Sequence, residues 1–245
     1  MPKPHFTRLL DLPTLSGLSG LPHVVMACVE TSTGFLAQGE DLLQPQEIER
    51  ADRFRVPLAR QTFVMGRYLA RMGLAALTGC RATEIQFNLS EKGKPVLATS
   101  PMDFSISHSG RWVAVAFHSA PIGCDIELGP NLKTKHFAGV ARTVFAPDEM
   151  VALYNAPAGS TDQRDRMLSI WRRKEAVLKA TGLGFSGLPQ SFSVVTESGA
   201  FCDRINLCGA TFALAEVAKN GRPPIALAWI TASCETLKPE QATPR

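Results

Sequence analysis

The chain has 245 residues, with 26 Lys and Arg against 22 Asp and Glu and a formal net charge of +4, so it can bury a substantial core as one large domain or two small ones. Such mild basicity suits an anionic ligand or an acidic partner and falls short of a nucleic-acid-coating surface. No run approaches the roughly 18 apolar residues of a transmembrane helix. No signal peptide is recognisable, and the six cysteines, Cys28, Cys80, Cys124, Cys202, Cys208 and Cys234, contain no CxxC pair. A cytoplasmic protein with reduced thiols and no membrane contact is expected.

In chain order, HVVMACVE near residues 23–30 is a short apolar run with β-branched content and predicts a strand. QEIERADRFR predicts a helix with Pro45 in its first turn, broken by Pro57. A second helix, from about Leu58 to Leu77, should end at Gly79. On it Arg60, Arg67 and Arg71 are spaced 7 and 4 apart, within roughly 40° of one another at 100° per residue. They read as a basic stripe, either a solvated face or a docking surface. IQFNLS, the turn EKGKP and PVL read as strand, loop and short strand; DFSISHS and RWVAVAFH form a hairpin around Ser109-Gly110; PIGCDIEL is the next strand.

Residues 133–154 read as helical in pieces, with a helix start at Pro147-Asp148-Glu149. NAPAGSTDQ is a loop ending at an N-cap, Ser160 or Thr161, and the helix over 162–181 should close at Gly182 in a left-handed cap. FSVV, FCDRINL, ATFALAEV and PPIALAWI are further strands, with a turn at Lys219-Asn220-Gly221, and residues 239–245 are expected to be a disordered tail. Each half combines helices with a set of strands. This α+β pattern suggests a duplicated unit, although no residue-level repeat accompanies it.

The chemistry concentrates in two segments. Asp125 and Glu127 in PIGCDIEL are two apart on a strand, so their carboxylates face one side and offer oxygens to a hard cation. The helix WRRKEAVLKATG supplies Glu175 between Lys174 and Lys179. Carboxylates and ammonium groups gathered from separate elements suit a Mg²⁺-bridged phosphate or pyrophosphate, and hence metal-dependent transfer of a phosphorylated group. Lys174 falls near the middle of the apolar face formed by Met167, Ile170, Trp171, Val177 and Leu178. Either its stem crosses that face to reach water or its ammonium meets a buried anion. Glu175 and Lys179, four apart, would be worth only about 0.3–0.5 kcal/mol as an ordinary helix ion pair.

Ser107 and His108 are adjacent on a strand and point to opposite faces, which rules out a direct nucleophile–base pair there, and no GxSxG elbow is present. His108 is open to two roles, a phosphate donor at the hairpin end or a structural group. The GKP segment at Gly93–Pro95 has no Walker spacing, so Lys94 is either a phosphate or base contact or part of a plain turn. The cysteines and histidines have no zinc-site grouping.

Taken in order, GKP (93–95), FSISHSG (104–110), IGCDIE (122–127) and WRRKEAVLKATGLG (171–184) resemble the 4′-phosphopantetheinyl transferases of the larger, surfactin-synthetase-activating type, over about residues 45–195. The resemblance implies a monomer of two similar α+β subdomains in a pseudo-twofold arrangement, residues 1–119 and 120–238. It also implies an enzyme that moves the phosphopantetheine arm of coenzyme A onto a serine of apo acyl, peptidyl or polyketide carrier proteins, releasing adenosine 3′,5′-bisphosphate. By that resemblance Asp125, Glu127 and Glu175 hold Mg²⁺, with Mn²⁺ as the alternative. Ser107 and His108 contact coenzyme A, with His108 near its 3′-phosphate, and Lys94 and Pro95 lie beside the adenosine. Lys179 meets the pyrophosphate and Lys174 opens the KEA signature. Arg60 serves as a 3′-phosphate ligand, by analogy with basic residues ahead of the segment GRYLAR. Glu175, or a water held there, would take the serine proton. Cys124 stands where the family usually has an aliphatic residue.

Two rivals compete with this reading. One is a Mg²⁺-dependent phosphohydrolase built on the same three acids. The other is a non-catalytic module docking an acidic partner or nucleic acid through Arg60, Arg67 and Arg71.

Overall fold

The computed structural model describes residues 5–6, 20–97, 100, 102–129, 139, 141–184, 189–219 and 221–233. Local signals set the helix ends. Helices α1 (Thr33–Asp41), α2 (Pro45–Asp52) and α3 (Pro57–Thr78) come first. Both α2 and α3 start with proline, where a missing N–H costs nothing, and α3 stops at Gly79 with φ 77°, a left-handed conformation that a Cβ would strain. After α4 (Pro147–Tyr154), helix α5 (Thr161–Thr181) is capped by Ser160, whose Oγ accepts the Gln163 N–H at 3.1 Å, and is closed by Gly182 at φ 71°.

The strands form two four-stranded sheets and one hairpin. The first sheet has the order β1-β2-β6-β5, from β1 (His5–Phe6), β2 (His23–Cys28), β5 (Asp103–Ser109) and β6 (Trp112–His118). The second has the order β7-β10-β9-β8, from β7 (Ile122–Ile126), β8 (Arg204–Leu207), β9 (Ala210–Lys219) and β10 (Arg222–Ser233). Strands β3 (Phe87–Leu89) and β4 (Pro95–Leu97) make the hairpin that carries the GKP turn. In each half a strand leads into a long helix, and a later antiparallel hairpin returns so that its last strand pairs with the first. The sets β2-α3-β5-β6 and β7-α5-β9-β10 thus share one topology. The expected α+β duplication exists at this level although the residues do not repeat.

Alternation along the strands builds three cores. Val113, Val115 and Phe117 of β6 point toward α3, where Met65, Leu69 and Leu74 receive them. The intervening Ala114 and Ala116 face the second sheet and meet Ile122, Cys124, Ile225, Leu227 and Trp229. On the far side Ala226 and Ala228 of β10 make room for α5, which buries Met167, Ile170, Val177 and Leu178. Small residues on one surface facing large ones on the other produce a helix–sheet–sheet–helix stack that is buried on both faces of each sheet.

Two expectations change here. FSVV supplies only the isolated bridge Val195–Phe201 next to a 3₁₀ turn at Pro189–Ser191, because β8 already occupies the sheet edge. The arginine stripe is neither a solvated face nor a docking surface. Arg67 and Arg71 are 5% and 1% exposed, and Glu47 of α2 takes both, at 2.8 and 2.6 Å. Arg71 also donates to the Ile85 carbonyl and lies over the Phe87 ring. Arg60, farther toward the surface, is bonded to Glu40. The surface that a basic docking module would use is therefore spent inside the N-terminal half. Residues 133–138, the centre of the turn at Asn220, Cys234 and the tail 239–245 lie outside the described residues.

Candidate active site

Strands β5 and β7 are edge strands of the two sheets, and side chains rather than backbone join them. Asp103, Ser105, Ser107 and Ser109 alternate along one side of β5. Their oxygens accept the N–H groups of Ile122, Cys124, Ile126 and Leu128 at 2.9, 3.1, 3.2 and 3.1 Å. Matching two-residue steps on both strands give four rungs in register, and each rung satisfies an edge donor that would otherwise be orphaned. The pattern D-x-S-x-S-x-S was visible in the sequence as alternation, but only the second strand explains why serine recurs.

The ladder fixes the acids. Ser107 Oγ, while accepting from Ile126, donates to Asp125 Oδ1 at 2.9 Å, and Ser109 Oγ donates to Glu127 Oε1 at 3.1 Å. Glu127 lies just past the end of β7, where the Gly129 N–H also bonds Oε1 at 2.8 Å and Arg172 Nη1 holds the Glu127 carbonyl at 3.1 Å. Arg172 is in turn gripped by Glu216 of β9. Neither Arg172 nor Glu216 carried a sequence signal beyond its charge.

Helix α5 reaches the acids because β7 has a glycine beneath it. A Cβ at Gly123 would lie 1.9 Å from the Ala176 carbonyl and 2.6 Å from the Ala180 nitrogen. Gly123 and Asp125 share the face of β7 turned to α5, and this approach sets Glu175 and Lys179, which bracket Ala176, over Asp125. Lys179 Nζ donates to Asp125 Oδ1 at 2.7 Å, the Cys124 carbonyl at 3.1 Å and Ser107 Oγ at 3.2 Å. Lys179 turns to Asp125 rather than to Glu175, its neighbour one turn back.

Electrostatics follow from this crowding. Burial pushes the Glu175 carboxyl up to about 7; Lys179 opposes the rise, while Asp125 and Glu127 add to it. Burial works against the Lys179 charge, but Asp125, Cys124 and Glu175 outweigh it and raise its pKa. His108 is exposed at the end of β5; desolvation and the Lys179 charge lower its pKa, which Asp125 and Glu127 partly offset. Cys124 is buried and its thiol is pushed up to about 11, so it is unreactive packing.

The other sequence-predicted residues divide clearly. Lys94 sits on the first rung, its Nζ 2.8 Å from Asp103 Oδ2 and 3.2 Å from the Ile122 carbonyl, on the same seam as Lys179, with Pro95 opening β4 behind it. Arg60 is engaged by Glu40 and, more distantly, Asp52. Lys174 does not join the site. It is fully buried in the C-terminal core, bonded to Glu149 at 2.9 Å and to the Phe192 carbonyl at 2.7 Å. Of the two fates open to its apolar position, it takes the buried anion, and that anion is a side chain of α4 rather than a ligand.

The residues suit a hard cation at one point in particular. Asp125 is 6% exposed, and its Oδ2 is buried without a hydrogen-bond partner, an oxygen whose desolvation nothing in the protein repays. Among the described residues no three His, Cys, Asp or Glu side chains are gathered into a ready metal cage. Mg²⁺ is commonly held by one or two carboxylates together with substrate phosphates and water, which is what Asp125 with Glu127 or Glu175 can supply.

A family model described as 4′-phosphopantetheinyl transferase, N-terminal, matches residues 31–120, and one described as 4′-phosphopantetheinyl transferase superfamily matches residues 121–228. The 4′-phosphopantetheinyl transferase HetI of a Nostoc species is 31% identical over 191 residues, covering 75% of this chain and 78% of the relative. The chain belongs to the 4′-phosphopantetheinyl transferase superfamily. Among other members, the transferase Sfp of Bacillus subtilis is 34% identical over 154 residues, 62% of this chain and 66% of Sfp. A further B. subtilis 4′-phosphopantetheinyl transferase is 36% identical over 149 residues, 60% and 63% of the two chains. The chain thus spans just under two thirds of these Bacillus relatives. In this superfamily member the two matched segments adjoin between β6 and β7, and β7 forms one wall of the seam that carries the acids. No described helix is long and apolar enough to cross a membrane.

Proposed function

We propose that this protein transfers the 4′-phosphopantetheine arm of coenzyme A to a serine of an apo carrier protein, acting as a monomer whose halves before and after residue 119 each supply one strand of the β5–β7 seam. The observation that carries this reading is the meeting of Asp125, its buried Oδ2 unpartnered, with Lys179 and Glu175 at the β5–β7 seam. Asp125, Glu127 and Glu175 would hold Mg²⁺, with Mn²⁺ as the alternative, and the ion would neutralise charge on the pyrophosphate.

The protein's own groups do the rest. Lys179 would hold pyrophosphate oxygens, and His108, with Ser107 behind it on β5, would meet coenzyme A from the N-terminal side. Lys94 and Pro95 flank the seam where the adenosine would lie, and Arg60 is the outlying candidate for the 3′-phosphate. The carrier serine oxygen forms a bond to the phosphorus of the phosphopantetheine phosphate, and the bond from that phosphorus to the bridging oxygen breaks. Adenosine 3′,5′-bisphosphate departs with the electron pair. The serine proton passes to Glu175, or to a water that Glu175 or the ion would hold. Most of the acceleration would come from alignment and from fixed charge.

Intact-protein mass spectrometry of apo acyl and peptidyl carriers, incubated with the protein, coenzyme A and Mg²⁺, tests this directly. The expected result is a gain equal to one phosphopantetheine arm, abolished by EDTA. Carriers that all stay unmodified, or hydrolysis of phosphate esters without any carrier, would overturn it.

A further inference from the structure

Lys179 commits all three of its N–H donors inside the protein, to Asp125 Oδ1 at 2.7 Å, the Cys124 carbonyl at 3.1 Å and Ser107 Oγ at 3.2 Å. The first of these acceptors belongs to a carboxylate whose other oxygen, Oδ2, is buried without a partner. A positive charge therefore already stands against the carboxylate that a divalent ion would need. We propose that Lys179 is the resident cation of Asp125 in the ligand-free protein, and that its departure toward an anionic ligand is what opens Asp125 to a divalent metal ion. The inference rests on reading Asp125 as a metal ligand.

Three features support the exchange. Only one of the three Lys179 acceptors is charged, so the hold depends mainly on Asp125. The Lys179 side chain is 29% exposed while that of Asp125 is 8% exposed, so the lysine can swing on its flexible stem while the carboxylate stays fixed by Ser107. The same helix also shows what a permanent pair looks like. Lys174 is 1% exposed against a fully enclosed Glu149, whose two oxygens are both taken. Asp125 lacks that closure. Two cations on one carboxylate repel each other at short range, so the ammonium suppresses metal uptake until a diphosphate-bearing ligand gives it a better partner.

Mn²⁺ binding to the free protein, followed by electron paramagnetic resonance without coenzyme A or carrier, provides the test. Lys179→Met should tighten Mn²⁺ binding by about tenfold, because the competing charge is gone, whereas Lys179→Arg should bind as weakly as the unaltered protein. Lys179→Gln keeps donors for Cys124 and Ser107 and serves if the Met variant fails to fold. Unchanged or weaker binding in the neutral variants overturns the proposal, as does tightening that survives Asp125→Asn. Because no transfer is measured, the outcome is separable from the transferase reading. Tightening without carrier modification would leave this proposal standing and remove the transferase function; modification without tightening would do the reverse.

Discussion

Helix α5 makes two carboxylate–ammonium contacts only five residues apart, and they have opposite characters. Around Glu149 everything is closed. Lys174 lies 2.9 and 2.8 Å from its two oxygens, the Val194 N–H bonds Oε1 at 2.8 Å and the Ala146 N–H bonds Oε2 at 2.7 Å. Around Asp125 the same chemistry is left incomplete, with Lys179 and Ser107 both on Oδ1 and nothing on Oδ2. A buried ion pair whose lone pairs are all used is closed; one with an unused buried oxygen leaves a lone pair that no protein group satisfies. Each pair sets a lysine ammonium against a carboxylate, and the difference lies in what surrounds them.

The largest effect is expected where the closed pair is broken. Lys174→Met leaves Glu149 buried without its cation and should cost about 3–5 kcal/mol of stability in chemical denaturation. Adding Glu149→Gln should recover part of it. If Lys174→Met instead left stability intact and only weakened coenzyme A binding, the two pairs would not differ as described. Asp125→Ala should do the opposite, lowering carrier modification by about a hundredfold or more while the melting temperature stays near normal. Normal transfer rates in that variant would remove Asp125 from the chemistry.

Gly123→Ala tests the support beneath the open pair. Its methyl would meet the Ala176 backbone, so α5 must lift, at about 1–3 kcal/mol, moving Glu175 and Lys179 together. Turnover should fall more than stability alone explains; a variant with full activity would show that the close approach is dispensable. The gentlest probe changes only pH. Glu175 is held up to about 7, so in the ligand-free protein it is mostly neutral at pH 6 and mostly ionised at pH 8. Carboxyl ¹³C NMR should show one glutamate titrating near neutrality that Glu175→Gln removes. A Glu175 signal in the ordinary carboxylate range would mean that the crowding around it is weaker than its position implies.

The sequence carried the elements themselves because their signals are local. Pro45 and Pro57 open helices, Gly79 and Gly182 close them, and Ser160 caps α5, each through backbone groups within a few residues. DFSISHS and RWVAVAFH announced a hairpin around Ser109-Gly110, and β5 and β6 form it. FSVV misled because a short apolar run does not say whether a sheet edge is free to accept it. Arg67 and Arg71 misled for a related reason. Their spacing correctly put them on one face, but Glu47, on the preceding helix, decided that the face was an interior.

The sequence by itself thus determined where helices and strands begin and end, and that Asp125, Glu175 and Lys179 belong to one ordered set of motifs. Tertiary structure alone decided that Lys179 meets an acid 54 residues away while Lys174 meets one 25 residues away. It also decided that Gly123 lets the helix close on the strand, and that three serines stitch the sheets together. Periodicity fixes the direction in which a side chain points, but the group it meets there comes from distant chain, brought close by packing rather than by local preference.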